Sequence, residues 1–238
     1  MTSFQIIHIE ETDSTNRWVK SVPLQGRGIV GWAEYQTKGR GQGTNTWESE
    51  RGKNLTFSVR FCPEGVKANA QFIISMAISI ALTKTLQVMH PVTIKWPNDI
   101  YVGDKKICGI LIENVLAGGG IKDCVIGIGL NVNQTLFVSD APNPTSMKLE
   151  SGKEHDRREV LDTLLENFEE VLTNWDEGSI RTEYRQQLYR KEGMFTYRDE
   201  KGQFSASVVD VEDDGHLLLK DSEGVLRRYA FKEVTFVI

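Results

Sequence analysis

The stretch VTIKWPNDIYVGDKKICGILIENVLAGGGIKDCVIGIGLNVN, residues 92–133, decides the architecture. Four β-prone runs, VTIKW, DIYV, KKICGILIEN and IKDCVIGIGLNV, follow one another with only turn signals between them, and VLAGGG (115–120) reads as the turn between the last two. A parallel pair needs a crossover of a dozen or more residues, usually a helix. The runs leave no room for one, so the sheet is predicted to be antiparallel or mixed.

Upstream, FQIIHI (4–9) reads as a first strand, and Asp13 or Ser14 as the cap of a short helix running through Trp18 and Lys20. GIVGWAEYQ (28–36) and the alternating NLTFSVRF (54–61) are two further strands. Between Ala68 and Leu86, Ile73, Ala77 and Ile80 follow one helical face while Ile74, Ile78 and Leu82 follow another. A helix apolar on more than one side belongs between layers, so it is scaffold. Downstream, the polar segment NQTLFVSDAPNPTS (133–146) precedes helices predicted at 155–174 and 179–190. Past Lys191 the texture changes to short alternating strands around DDG and SEG turns, a β module whose size is marginal alone and which is expected to lean on the larger domain. The fold class is α/β (α+β), with a mixed, largely antiparallel sheet packed with helices. The division is a main domain over 1–190 and a small barrel-like module over 191–238.

Composition narrows the function. The chain has 238 residues, 39% hydrophobic and 26% charged, as in a globular protein. A net charge of -5 argues against a broad nucleic-acid or membrane surface. FIISMAISIAL (72–82) is too short to span a bilayer. Cys62, Cys108 and Cys124 are odd in number and form no CxxC pair, which points to a reducing cytosol. His8, His90, His155 and His216 are scattered without zinc-ligand spacing. The N-terminus does not read as a signal peptide, and no helix-turn-helix fits ahead of the first motifs, so no DNA partner is expected.

Four stretches are too polar or too glycine-rich for a sheet core. Asp13-Ser14-Thr15-Asn16 sits at a helix entrance, where an N-cap alone would explain it. In TKGRGQGTNTWESERGKN (37–54), Gly39, Gly41 and Gly43 let backbone amides approach a ligand, and Arg40 offers a bidentate contact to phosphate or carboxylate. A mobile surface loop is the plainer alternative. In KWPNDIYVGDKKICG (95–109), Pro97 keeps Trp96 extended and leaves Asn98 and Asp99 at a strand edge. Lys105 and Lys106 face opposite ways on their strand, one inward and one to solvent, unless both simply decorate a hairpin. In GIGLNVN (127–133), Gly127, Gly129 and Asn131 share one strand face. The glycines leave it bare, so that something other than a side chain can lie against it, with close strand packing as the alternative.

Taken in order, DSTN (13–16), QTKGRGQGTNTW (36–47), KWPNDI (95–100), GDKKICGILIE (103–113) and GIGLNVN resemble the catalytic core of the biotin–protein ligases. The module after residue 190 resembles that family's SH3-like C-terminal domain. The resemblance implies a class II synthetase-like biotin/lipoate ligase fold with a small SH3-like β-barrel, in the form without an N-terminal helix-turn-helix repressor domain. It implies ATP-dependent formation of biotinyl-5'-adenylate, then transfer of biotin to a lysine of a biotin carboxyl carrier protein of a carboxylase. ATP and Mg²⁺ would be required.

By position, the resemblance implies that Ser14, Thr15, Asn16 and Gln36 border biotin, with Gly109, Gly127 and Gly129 forming the floor. Gly39, Arg40 and Gly41 would close on the intermediate, while Gly43 and Trp47 would lie on the ATP side. Lys106 would contact the biotin carboxylate and the α-phosphate. Asp99 and Asn131 would lie near the phosphates and magnesium. Lys106, Arg40 and Asp99 are thus the catalytic candidates, and the segment after Asn133 would order over the adenosine. Many members carry further basic residues after GRG, whereas Gln42, Gly43, Thr44 and Asn45 follow here. A lipoate–protein ligase and a non-catalytic binding module are the rival readings. Exposed sheet edges leave room for a homodimer.

Overall fold

A computed structural model describes residues 3–24, 26–89, 91–139 and 141–238. His90, and Asp140 of the segment expected to cover the adenosine, lie outside the described residues. The larger sheet has seven strands in the order β1-β2-β3-β7-β6-β5-β4. These are β1 (Gln5–Thr12), β2 (Gly28–Gln36), β3 (Leu55–Phe61), β4 (Val92–Lys95), β5 (Asp99–Val102), β6 (Lys105–Ala117) and β7 (Gly120–Leu130). Only the β1–β2 pair is parallel, and helix α1 (Thr15–Ser21) lies in the connection between them. The other pairs are antiparallel, and β4 to β7 form the meander that the short links require.

Three local expectations need correction. Val115, Leu116 and Ala117 belong to β6, and the turn narrows to Gly118 and Gly119, with φ of 60° and 82°. Two successive left-handed residues make the tight hairpin whose twist suits the flanking strands, and glycine adopts them without a Cβ clash. Ser14 stands at the N-cap of α1 but makes no side-chain cap bond. The Asp13 carboxylate instead accepts from Ser14 N and from Arg17 Nη1, both at 2.7 Å. A short helix α3 (Met147–Ser151) rises from the polar segment, capped by Ser146 Oγ accepting from Leu149 N and ended by left-handed Gly152.

Helix α2 (Phe72–Leu86) is buried along almost its whole length. It lies between β4 and β5 on one side and helices α4 (Arg157–Thr173) and α5 (Glu177–Gln186) on the other, which is why no polar face was needed. The apolar window Phe72–Met89 is long enough to cross a membrane by composition, yet 72% of it is buried inside the protein. Truncating a central residue such as Ile78 to alanine would cost about 2–5 kcal/mol.

The second sheet runs β11-β10-β9-β8-β12, built from β8 (Phe195–Asp199), β9 (Gly202–Val211), β10 (Leu217–Asp221), β11 (Leu226–Tyr229) and β12 (Thr235–Phe236). Its apolar face, with Tyr197, Leu217, Leu219 and Phe236, joins the core of the larger sheet. Polar contacts fix the junction. Trp96 Nε1 donates to Gly215 O at 2.8 Å, and Arg190 Nη1 donates to Val237 O at 2.9 Å. The ends of β4, β5 and β12 thereby meet at one side of a cleft.

Candidate active site

A cavity of about 860 Å³ opens over the strand ends of β5, β6 and β7, between the 40–48 loop, the 137–144 segment and residues 231–236 of the small sheet. Its size suits a ligand of nucleotide dimensions. Ser14, Thr15, Asn16, Gln36, Arg40, Gly41, Trp47, Asp99, Lys106, Gly109, Gly127, Gly129 and Asn131 all line it. Gly39 and Gly43 do not. A β-carbon at Gly39 would come within 2.5 Å of Trp47 O, so its smallness serves the loop's own fold.

One end is a closed polar network. The Ser58 hydroxyl lies 2.7 Å from Thr15 Oγ1 and 2.6 Å from Asn16 Oδ1, and all three residues are buried. Gln36 Oε1 accepts from Thr15 N at 2.8 Å and Thr15 Oγ1 at 3.1 Å, so Gln36 has its Nε2 hydrogens to offer a ligand. Asn16 Nδ2 donates to Glu113 Oε2 at 2.8 Å, and Glu113 also meets Lys20 at 3.1 Å and Arg40 at 3.3 Å. Burial pushes the Glu113 carboxyl up, but the Asn16 hydrogen bond and the Lys20 ammonium outweigh it and hold the group below the usual range.

The glycine strip is not bare. A β-carbon at Gly127 would collide with Asn16, and one at Gly129 with the Trp47 indole, whose edge also covers Gly109. Side chains therefore fill the slot, because the glycines let Asn16 and Trp47 approach the β7 backbone closely.

The charged centre lies beside that indole. Lys106 Nζ is 2.7 Å from Asp99 Oδ1 and 5.6 Å from the Trp47 ring centroid. The side chain of Lys106 is 26% exposed, against 57% for Lys105, which turns away to Glu150. The alternation of the strand thus separates the pair. The Lys106 backbone is clamped from both sides, since its N donates to Asn143 O and its carbonyl accepts from Thr145 N, each at 2.9 Å. Asn131 Nδ2 ties down the same segment through Thr145 O at 2.9 Å. Among the described residues its Oδ1 is buried without a hydrogen-bond partner. The orphaned Asn131 amide oxygen and the Asp99 carboxylate, which line the same cavity, are both hard oxygen donors. Such a set fits a magnesium ion that draws its remaining ligands from water and phosphate.

The glycine-rich loop around Arg40 is a small hairpin. Arg40 bridges Thr46, Gly41 N donates to Asn45 O at 2.8 Å, and Trp47 N donates to Gly39 O at 3.1 Å. After it, Glu48 accepts from Val138 N at 3.0 Å and Ser139 N at 2.8 Å, drawing the 134–139 segment over the cavity. Lys95 is a further lining cation. Its ammonium lies 5.3 Å from the Tyr101 ring centroid and 4.9 Å from that of Phe236, and burial lowers its pKa.

Ser58 and Glu48 lie outside the motifs that carry the resemblance, and Lys95 and Glu113 lie at the ends of two quoted stretches without standing out as site residues. A faint signal existed for two of them, because Ser58 interrupts the apolar LTFSVRF and Glu113 ends the apolar ICGILI run. Nothing in the sequence pairs Glu48 with Val138 and Ser139.

A mixed α/β protein with a cationic cleft for an anionic small molecule is the class that this fold and site define. The chain belongs to the biotin/lipoate A/B protein ligase family, whose family model matches residues 8–131. It is 29% identical over 208 residues to the bifunctional ligase/repressor BirA of Bacillus subtilis, covering 83% of this chain and 63% of that one. It is 28% identical over 228 residues to the biotin–[acetyl-CoA-carboxylase] ligase of Paracoccus denitrificans, covering 91% and 94%. The structure of the Aquifex aeolicus biotin protein ligase in complex with biotin and ATP superposes with a TM-score of 0.76 at 26% identity, covering 97% of both chains.

Proposed function

We propose that the protein is an ATP-dependent biotin–protein ligase acting in the cytosol. The biotin carboxylate attacks the α-phosphorus of ATP, displacing pyrophosphate and forming biotinyl-5'-adenylate. A neutral lysine ε-amine of a biotin carboxyl carrier protein then attacks the mixed anhydride and releases AMP. The observation that carries this reading is convergence. The polar network of Thr15, Asn16, Gln36 and Ser58 and the Lys106–Asp99 pair line or border one cleft, with Arg40 at its edge.

Each step follows from the chemistry of those side chains. Two anions must approach in the first step, so catalysis is mainly positioning and charge neutralisation. Lys106, with its backbone pinned by Asn143 and Thr145, places an ammonium where the carboxylate and α-phosphate meet. Arg40, paired with Glu113 at 3.3 Å, would exchange that carboxylate for the phosphate of the intermediate. Gln36 and the Thr15–Asn16–Ser58 network offer the directional hydrogen bonds that a ureido ring requires. A magnesium ion held by Asn131 Oδ1 and Asp99 would neutralise phosphate charge when bound. In the second step the acceptor amine must lose a proton from a pKa near 10.4, and Asp99, a carboxylate lining the cleft, is the group we assign to assist it. The 37–53 hairpin and the 134–139 segment held by Glu48 would keep water from the anhydride.

The test is mass detection of biotinyl-5'-adenylate from purified protein, biotin, ATP and Mg²⁺, with lipoate and octanoate in parallel. Adenylate with biotin alone is the expected result. Adenylate with lipoate alone would move the chain to the lipoate branch, and none with any acid would leave a binding module.

A further inference from the structure

The loop that should grip the phosphates is short of charge at its tip. Between Arg40 and Arg51 it contains no lysine or arginine. Arg51 is spent elsewhere, pairing with Glu11 and lying 4.8 Å from the Tyr35 ring centroid. Yet a cation does stand at the tip, and it comes from the other sheet. A β-carbon at Gly43, itself left-handed with φ of 67°, would lie 2.5 Å from Lys232 Nζ, so the ammonium occupies the space that the glycine leaves.

Lys232 lies between β11 and β12 and lines the cavity. Its φ is 71°, in the left-handed region that a residue with a β-carbon rarely adopts. A glycine would sit there without strain. The lysine side chain brings a ligand-sized charge to the cleft in exchange. The other lining cations have partners of their own, Lys106 with Asp99, Arg40 with Glu113, and Lys95 over the Tyr101 and Phe236 rings. Among the described residues no carboxylate lies within 4.0 Å of the Lys232 ammonium, and its neighbour is the Phe231 ring, 5.8 Å away at the centroid.

We propose that Lys232 binds the β- and γ-phosphates of ATP, supplying from the small sheet the charge that the loop lacks. The inference rests on the ligase reading above. On the ligase reading, carboxylate and α-phosphate meet at Lys106 on β6, whereas Lys232 stands at the loop tip against Gly43, elsewhere on the lining of the same cavity. Its contact is made to the part of ATP that departs. Lys232 therefore contributes to ATP capture and leaves retention of the adenylate to Arg40 and Lys106.

The experiment compares wild type with Lys232→Ala, Lys232→Gly and Lys232→Arg. Calorimetric titration with ATP·Mg²⁺ and with biotinyl-5'-adenylate is run beside steady-state pyrophosphate release. Removing one partly exposed charge contact is expected to raise the Kd and KM for ATP about 5- to 20-fold. The Kd for biotinyl-5'-adenylate and the KM for biotin should stay within about twofold, and Lys232→Arg should restore most of the ATP affinity. Lys232→Gly should lose ATP affinity equally while its Tm holds or rises, an outcome that a purely structural lysine would not give. ATP affinity within twofold of wild type in both Lys232→Ala and Lys232→Gly would overturn the assignment, as would an equal loss for the adenylate. Wild type that binds ATP but makes no adenylate would refute the ligase reading while the titration still decides Lys232. Wild type that binds no ATP would refute both.

Discussion

Replacing Lys106 by alanine removes one ammonium with two separable duties. The first is structural. Its Nζ sits 2.7 Å from Asp99 Oδ1, and the Asp99 side chain is only 16% exposed, so truncation strands a carboxylate in a poorly solvated cleft. Losing one partner of a fully buried pair costs about 3–5 kcal/mol. Both side chains here still reach water, which brings the expected loss to about 1–3 kcal/mol, or roughly 3 to 9 °C in Tm for a chain of this size. The second duty is the catalytic one proposed above. An ammonium that meets charge developing between carboxylate and phosphate is expected to contribute about 10²- to 10³-fold in rate, about 3–4 kcal/mol. The double variant Lys106→Ala with Asp99→Ala separates the two, since it removes the stranded charge and should regain much of the Tm while adenylation stays low. Lys105→Ala is the internal control. Its side chain is 57% exposed and 3.2 Å from Glu150, an exposed pair worth under about 1 kcal/mol. The assay is single-turnover formation of biotinyl-5'-adenylate, with thermal melts of each variant. Near-wild-type adenylation in Lys106→Ala, or an equal defect in Lys105→Ala, would refute the assignment.

Ser58→Ala leaves Thr15 and Asn16 without their shared buried hydroxyl, so a stability loss of about 1–3 kcal/mol and a raised KM for biotin at constant KM for ATP are expected from melts and initial rates. Gly129→Ala drives a methyl into the Trp47 indole, and overpacking of about 1–3 kcal/mol should appear as a lower Tm together with a shift in tryptophan fluorescence. Glu113 yields a pH dependence. Its folded pKa lies below its unfolded value, so its stabilisation is complete above about pH 4.3 and disappears as pH falls through the depressed folded value. Denaturant unfolding across pH 3 to 6 should show Glu113→Gln losing less stability than wild type over that acid window, and parallel curves would contradict it.

Much of the site could be read along the chain because its chemistry is local. GDKK places two lysines on a strand, the period of two turns one inward, and the structure puts Lys106 against Asp99 and Lys105 against Glu150. The meander from β4 to β7 was likewise fixed by spacing too short for crossovers. What could not be read are contacts set by strand order. Asn16 meets Glu113, and Ser58 meets Thr15, across 97 and 43 positions of sequence. These meetings depend on β3 lying beside β7, and β7 beside β6, which no local pattern specifies. The glycine strip shows the same limit. Period two correctly aligned Gly127, Gly129 and Asn131, but it could not reveal that Asn16 and Trp47 would come from elsewhere to cover the first two.

That limit bears on how the cleft is built. Each of its recognition elements is assembled from two distant pieces of chain: Asn16 with Glu113, Lys106 with Thr145, Glu48 with Ser139, and the Gly43 tip with Lys232. A site made this way cannot be preorganised by one loop alone, because these side chains are aimed by partners on other elements. Two of these pairings, Glu48 with Ser139 and Gly43 with Lys232, join segments at the mouth. Lys106 with Thr145 and Asn131 with Thr145 join the mouth to the sheet floor. A ligand that touches both ends would therefore bias the same segments from two directions. Loosening the floor through Asn131→Ala should then weaken ATP binding through the 143–145 segment as well as through the lost oxygen. Protection of that segment in hydrogen exchange measures the first effect by itself, and unchanged protection in Asn131→Ala would show that the floor and the mouth are not mechanically joined.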